Sequence, residues 1–256
     1  MITENHAFVH PEAQIGANVI IDPFAYVDKN VVIGDGTHIY AHACVLSGSR
    51  IGKNCNIYHG AVVGGIPQDL KFVGEDTTLE IGDNNTIREN VTLNRGTASK
   101  GKTVIGNNNL FMENCHIGHD SVVGSNCIIG NSTKIAGEVN IDDFAILSAC
   151  VLVHQFCHLG GHIMVQGGSK VSMDIPPYVI AARDPLHYCG ENIVGLRRRG
   201  FSNDAIKNIH NAYRLLYEGK VTTGIAKIKE TMTMTPEVQQ IVDFVEKKSE
   251  RGIIGK

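Results

Sequence analysis

The residues with the greatest chemical capacity are gathered in Asn114-Cys115-His116-Ile117-Gly118-His119-Asp120, with Glu138 and His154-Gln155-Phe156 following at wider spacing. A histidine beside an aspartate can act as general base towards a hydroxyl. The imidazole titrates near neutrality, and a carboxylate partner fixes which ring nitrogen carries the proton. The same residues offer a second chemistry, zinc binding by His116, His119 and His154 with Asp120 as an outer partner. Nothing in the spacing makes the three imidazoles converge, so no metal is expected. A third feature is the basic run Leu196-Arg197-Arg198-Arg199-Gly200, whose planar guanidinium forks suit the paired oxygens of a diphosphate. Each group also has a plainer reading, as solvated corner residues or an exposed basic turn. The elements that carry them decide between the two.

Those elements follow a period of six. An aliphatic residue recurs at every sixth position from Val9 to Val63, at Ile81, Ile87 and Leu93, and from Ile105 to Val171, with Phe111 the one departure from Ile, Leu or Val. A helix repeats its apolar positions at about 3.6 residues and a strand at two, so neither generates this spacing. A fixed self-similarity of this kind marks a solenoid of hexapeptide type, in which three hexapeptides close a triangular coil of about 18 residues. Stacked coils pair their strands in parallel at about 4.8 Å. That register is a spatial statement about the chemistry. It stacks Asp120, Glu138 and Phe156 in one column and His119, Gly137 and Gln155 in the next. The residue after the ladder position is often glycine, as at Gly16, Gly34, Gly52 and Gly106, where a corner is expected to need a permissive backbone. Two breaks, about 64–78 and 97–102, are too polar for the ladder and are expected to project as binding loops. The ladder resumes in frame after both.

The repeat ends at Met173-Asp174-Ile175-Pro176-Pro177, and a connecting segment is expected next. Ser202 is a candidate N-cap for a helix reaching Gly219. A second helix is expected over about 223–232, and a third from Thr235-Pro236-Glu237, a cap with proline at the first helical position. The organisation is a solenoid over 1–185 and a helical domain over 186–256 that covers the last coil.

Composition agrees. Gly is abundant at 28 residues, Trp is absent and aromatics make up 6%, which suits tight corners around a small-residue interior. A net charge of −3 and the lack of a broad basic surface argue against nucleic acid as partner. The amino-terminal residues lack the charged and apolar regions of a signal peptide, and no run approaches a membrane span of roughly 18 apolar residues, so a cytoplasmic location is expected. Of seven cysteines, Cys55, Cys115, Cys127 and Cys157 lie four residues after a ladder position, where Ala and Ser also occur. They are expected to be reduced, inward and structural.

Several segments together resemble the bacterial UDP-N-acetylglucosamine O-acyltransferases: HPEAQIGANVIIDPF, PQDLKFVGE, NCHIGHD, VHQF, IPPYVI and GLRRRGFS. The resemblance runs over essentially the whole chain. It implies a mainly β fold, a left-handed parallel β-helix followed by a small C-terminal α-helical domain, assembled as a homotrimer with sites between subunits. It implies transfer of an (R)-3-hydroxyacyl chain from acyl carrier protein to the 3-hydroxyl of UDP-N-acetylglucosamine, the first step of lipid A biosynthesis. Phosphopantetheine enters on the carrier as co-substrate, and no other cofactor is implied. By the same resemblance His119 is the general base, Asp120 orients it, and the Gly137 N–H holds the oxyanion. Asp69, Lys71, His116, His154, Gln155, Asn192, Arg198 and Arg199 match substrate-contacting positions, and Met164 and Gly167 match those that measure acyl length. The chain departs from the pattern at Glu138, where better-known members have histidine, and at Asn94. A carboxylate approaching His119 closely would raise its pKa. Two alternatives are a hexapeptide N-acyltransferase acting on a 3-amino UDP-sugar or another amino sugar, and a non-catalytic trimeric scaffold.

Overall fold

A computed structural model describes residues 2–3 and 6–256. Among the described residues the chain winds into a left-handed parallel β-helix with three faces, sheets of 11, 9 and 8 strands. Most strands are two residues long, one pointing out and one in. Successive coils pair Leu110 with Ile128, His116 with Lys134 and Val122 with Asn140. From Ile21 to Val171 every ladder residue is at most 4% exposed, and Val9 and Ile15 pack partly buried against the same core. The interior is one continuous apolar column, each coil covering the one before it.

The corners are made differently from the expectation. Gly16, Gly34, Gly52 and Gly106 do not take left-handed backbone. They are glycine because the coils approach too closely there: a Cβ on Gly34 would lie 2.6 Å from the carbonyl carbon of Gly52. The left-handed residue comes two positions later and is asparagine more often than any other type, with φ of 56° at Asn18, 58° at Asn84 and 60° at Asn114. Asparagine tolerates this region better than other non-glycine residues. Cys55, Cys115, Cys127 and Cys157 are at most 1% exposed, as expected. Burial pushes the Cys115 thiol up to about 11 and those of Cys127 and Cys157 to about 12.

Both interruptions leave from one edge of the prism, where the chain passes from the 9-stranded to the 8-stranded sheet. The first joins strands Val62–Gly65 and Thr78–Ile81, and the second joins Thr92–Asn94 and Lys102–Ile105. His119-Asp120, Gly137-Glu138 and Gln155-Phe156 turn the same edge in the following coils.

The segment after the ladder is a hairpin rather than a plain connection. Strand Val179–Ala182 extends the 11-stranded sheet beside Met164–Val165, and His187–Glu191 returns antiparallel to it. Helix α1 (Ile193–Arg198) follows, then α2 (Asn203–Leu216), α3 (Val221–Thr231) and α4 (Pro236–Glu246). The Ser202 hydroxyl accepts from the Ala205 N–H at 3.1 Å and caps α2, which stops short of Gly219. Helix α1, absent from the sequence reading, carries the arginine run and buries Leu196. Tyr213 of α2 donates to the Pro177 carbonyl, and the Ile254 N–H donates to that of Asp174, so helices and tail close the final coil.

The continuous column should be sensitive to a single cavity. Ile135→Ala, at a fully buried position, should lose about 2–5 kcal/mol in denaturant unfolding. A loss under about 1 kcal/mol would mean the coils collapse around the gap.

Candidate active site

Asp120 sits at a left-handed corner with φ of 58° and no solvent exposure. A buried carboxylate is tolerable only when it is hydrogen-bonded, and the Thr97–Lys102 segment supplies the donors. The Thr97 hydroxyl donates to Oδ2 at 2.6 Å, and the Thr97 N–H lies 3.0 and 3.1 Å from the two oxygens. The Lys100 N–H reaches Oδ1 at 3.2 Å. Burial works to raise the Asp120 carboxyl, but these bonds and that from His119 outweigh it and hold the group below its ordinary value. It is therefore an anion at neutral pH, directed at the imidazole. His119 Nδ1 lies 2.8 Å from Asp120 Oδ2, which assigns the proton to Nδ1 and leaves Nε2 as the free acceptor.

The imidazole lies over Gly137, as the column register requires. A Cβ at Gly137 would be 2.5 Å from His119 Nε2, so no larger residue fits beneath the ring as placed. Coil stacking is kept by the Glu138 N–H, which donates to the His119 carbonyl at 2.8 Å. From the longer loop Asp69 brings Oδ2 to 3.9 Å from His119 Nε2, and its Oδ1 accepts from the Lys71 N–H at 2.9 Å. His116, on the strand entering the corner, shares a 2.7 Å hydrogen bond with Thr92. Burial, then Lys134 and His119, push its pKa down, so it is neutral at pH 7.

Glu138 does not act on His119 as anticipated. Its carboxylate turns to the Ser99 hydroxyl at 3.2 Å and the Lys100 ammonium at 3.9 Å. The same ammonium donates to the Asp120 carbonyl at 3.1 Å. The extra anion is balanced by a cation from the shorter loop.

The structure gathers His119, Asp120, Gly137, Asp69 and His116 at one edge, with His154 and Gln155 one coil beyond Gly137 and exposed. Lys71 is exposed on the loop beside Asp69. The remaining expected residues stand elsewhere in the chain. Asn192 is buried, accepts from the Gly195 N–H to cap α1, and donates to the His162 carbonyl. Arg198 is exposed on α1, while Arg199 turns in to the Phe144 carbonyl at 3.0 Å and stacks over that ring, at another edge. Met164 faces outward from the 11-stranded sheet and Gly167 lies at the corner after it. Among the described residues of one chain no three His, Cys, Asp or Glu side chains are placed to hold a metal ion.

Sequence reasoning missed Thr97 and Lys100 as the support of Asp120, and Ser99 as the partner of Glu138, although it marked their segment. Thr97 occupies the small inward slot four residues after Leu93, at the edge where Asp120 arrives one coil later. Thr92 was also missed. It pairs with His116 in register across the lengthened coil.

The chain is similar to known proteins over its length. The family described as Udp N-acetylglucosamine O-acyltransferase, domain 2, matches residues 174–254, and the bacterial transferase hexapeptide family matches 12–47, 30–65 and 102–137. LpxA, a UDP-N-acetylglucosamine acyltransferase from Bacteroides fragilis, is 59% identical, with a TM-score of 0.96 over 99% of this chain and 100% of that one. LpxA from Acinetobacter baumannii is 39% identical, with a TM-score of 0.95 over 99% and 100% of the two chains. The Francisella novicida UDP-N-acetylglucosamine acyltransferase is 38% identical, with a TM-score of 0.96 over 100% and 94%.

Removing the shortest donor to Asp120 should be costly. Thr97→Val is expected to lose about 1–3 kcal/mol at pH 7 in denaturant unfolding. Because the folded Asp120 pKa lies below its ordinary 3.8, its stabilisation is complete above that value and is lost as pH falls through the folded one. The gap between Thr97→Val and the parent should therefore narrow at acid pH. A gap independent of pH would mean that Thr97 does not act through the carboxylate.

Proposed function

The chain belongs to the UDP-N-acetylglucosamine O-acyltransferase family, and from that premise we propose that it transfers an (R)-3-hydroxyacyl chain from acyl carrier protein to the 3-hydroxyl of UDP-N-acetylglucosamine, opening lipid A biosynthesis, with His119 as general base. It is an acyltransferase. The observation that carries the assignment of the base is the buried, fully bonded Asp120 anion 2.8 Å from His119 Nδ1, with Nε2 free above Gly137.

In this reading Nε2 takes the proton of the sugar hydroxyl as its oxygen attacks the thioester carbonyl of the carrier. Asp120 holds the tautomer and stabilises the imidazolium that forms. The Gly137 N–H donates a hydrogen bond to the oxyanion of the tetrahedral intermediate. Collapse breaks the carbon–sulfur bond, and the imidazolium returns its proton to the departing phosphopantetheine sulfur. The acyl group passes directly between substrates, without a covalent enzyme intermediate. Cys115 is a poor nucleophile here, because it faces the interior and its pKa is pushed up to about 11 by burial.

Asp69, Lys71, His116, His154 and Gln155 would contact substrate around this base. Asn192, Arg198 and Arg199 would take the nucleotide and carrier, and Met164 and Gly167 would set acyl length. These two groups lie on other edges of the prism from His119. A homotrimer supports one complete site, since a neighbouring copy can set its edge against this one. Among the described residues no helix is long and apolar enough to cross a membrane. The enzyme would work in the cytoplasm, where its carrier-protein donor is.

His119→Ala should lower kcat by about 10²–10⁴-fold while sugar-nucleotide binding by calorimetry and subunit assembly stay intact. Near-normal turnover would remove His119 from the role. Cys115→Ser should remain active, and an inactive variant with native stability would reopen the covalent route. The substrate assignment is tested with defined acyl carrier proteins and both UDP-sugars, bearing a 3-hydroxyl or a 3-amine, with the product weighed by mass spectrometry. Acylation of the amine alone would replace the proposed acceptor.

A further inference from the structure

Glu138 occupies a corner that does not favour it. Its φ is 60°, a region where asparagine and aspartate gain from their short polar side chains and glutamate does not. The side chain reaches back one coil, to the Thr97–Lys102 segment. That segment is held from two sides. Asp120 takes the Thr97 hydroxyl and the Thr97 and Lys100 amides, and Glu138 takes the Ser99 hydroxyl and faces the Lys100 ammonium. Lys100 joins the two, since its ammonium also donates to the Asp120 carbonyl. The donors that orient Asp120 thus belong to a strap whose outer side is tied by Glu138.

We propose that Glu138 is a positioning residue for His119, acting through Ser99 and Lys100 on the strap that holds Asp120. The inference rests on the reading of His119 as the base. Without Glu138 the strap keeps its ties to Asp120 and to the neighbouring strand, where the Thr78 N–H donates to the Gly101 carbonyl at 3.0 Å. It loses its hold at Ser99, and the Lys100 ammonium beside the Asp120 carbonyl loses its counter-charge. Looser support of Asp120 and an unbalanced cation both disfavour the imidazolium. The charged and titratable groups facing His119 are Asp120, Asp69 from the longer loop and His116 from the entering strand, with Lys100 beyond Asp120. Glu138→Ala leaves the first three in place.

The test combines hydrogen exchange with kinetics on the full-length protein carrying Glu138→Ala, Glu138→Gln or Lys100→Met. In Glu138→Ala, exchange of the amides over 97–102 should rise about tenfold, reporting local opening of the strap. With acyl carrier thioester and UDP-N-acetylglucosamine, kcat should fall about tenfold with KM within about twofold, and the acid limb of the pH profile should move to lower pH. Glu138→Gln, which keeps an acceptor for Ser99, should fall between. Adding Lys100→Met to Glu138→Ala should cost less than the two single losses together. Unchanged strap exchange, or a loss confined to KM, overturns the proposal, the latter pointing to direct substrate contact. A parent protein inactive on every acyl thioester would instead overturn the reading of the base, and the exchange measurement would still decide whether Glu138 holds the strap.

Discussion

The solenoid depends on a backbone constraint met at every sixth residue. Nearly every corner turns through the left-handed region, and at most of them the N–H donates to the carbonyl of a corner one coil earlier, as Ser132 does to Glu113 at 2.9 Å and Cys150 to Asn131 at 2.8 Å. A non-glycine residue gives up about 1 kcal/mol to stand there. The coil cannot close without it, and the bond to the coil below offsets the cost. Asp120 is an instructive exception. Its N–H goes to the Thr103 hydroxyl at 2.8 Å, because the strap occupies the place where an ordinary corner would pass beneath it. The departure from regular stacking is what turns a structural corner into a reactive one.

Burial of a full carboxylate is the energetic risk in this arrangement. Removing an anion from water costs several kcal/mol unless its lone pairs are met by donors of good geometry. The strap meets them with two backbone amides and a hydroxyl, all from a segment too short to have a fold of its own. Strap and carboxylate therefore order each other. The imidazole inherits that order through a single hydrogen bond, and the glycine beneath it leaves the ring room to lie flat. Rigidity comes from the coils and reactivity from the edge that interrupts them.

Much of this was legible in the sequence. The period of six gave the inward column, the slot for Cys55, Cys115, Cys127 and Cys157, and the superposition of His119 on Gly137. Each follows from stacking identical units, where spacing along the chain converts directly into position. The glycines after the ladder were read for the wrong reason, since periodicity alone does not separate tight coil contact from a left-handed turn. The strap's bonds to Asp120 were not legible, because they depend on how an aperiodic segment folds back. The orientation of Glu138 was hidden for the same reason. Helix α1 and the hairpin before it escaped because six helical residues and two short strands carry too little pattern to rise above a basic, proline-containing stretch.

The tail that lies across the last coil bears on the order in which the molecule is built. Contacts within the stack join neighbouring coils, so winding can begin at any coil and spread as a zipper does. The tail is different: Arg251 donates to the Gln155 carbonyl, and Ile254 bonds to Asp174. These ties need the coil they close and the helices before them already in place. The segment from Arg251 to Ile254 thus acts as the clasp of the zipper.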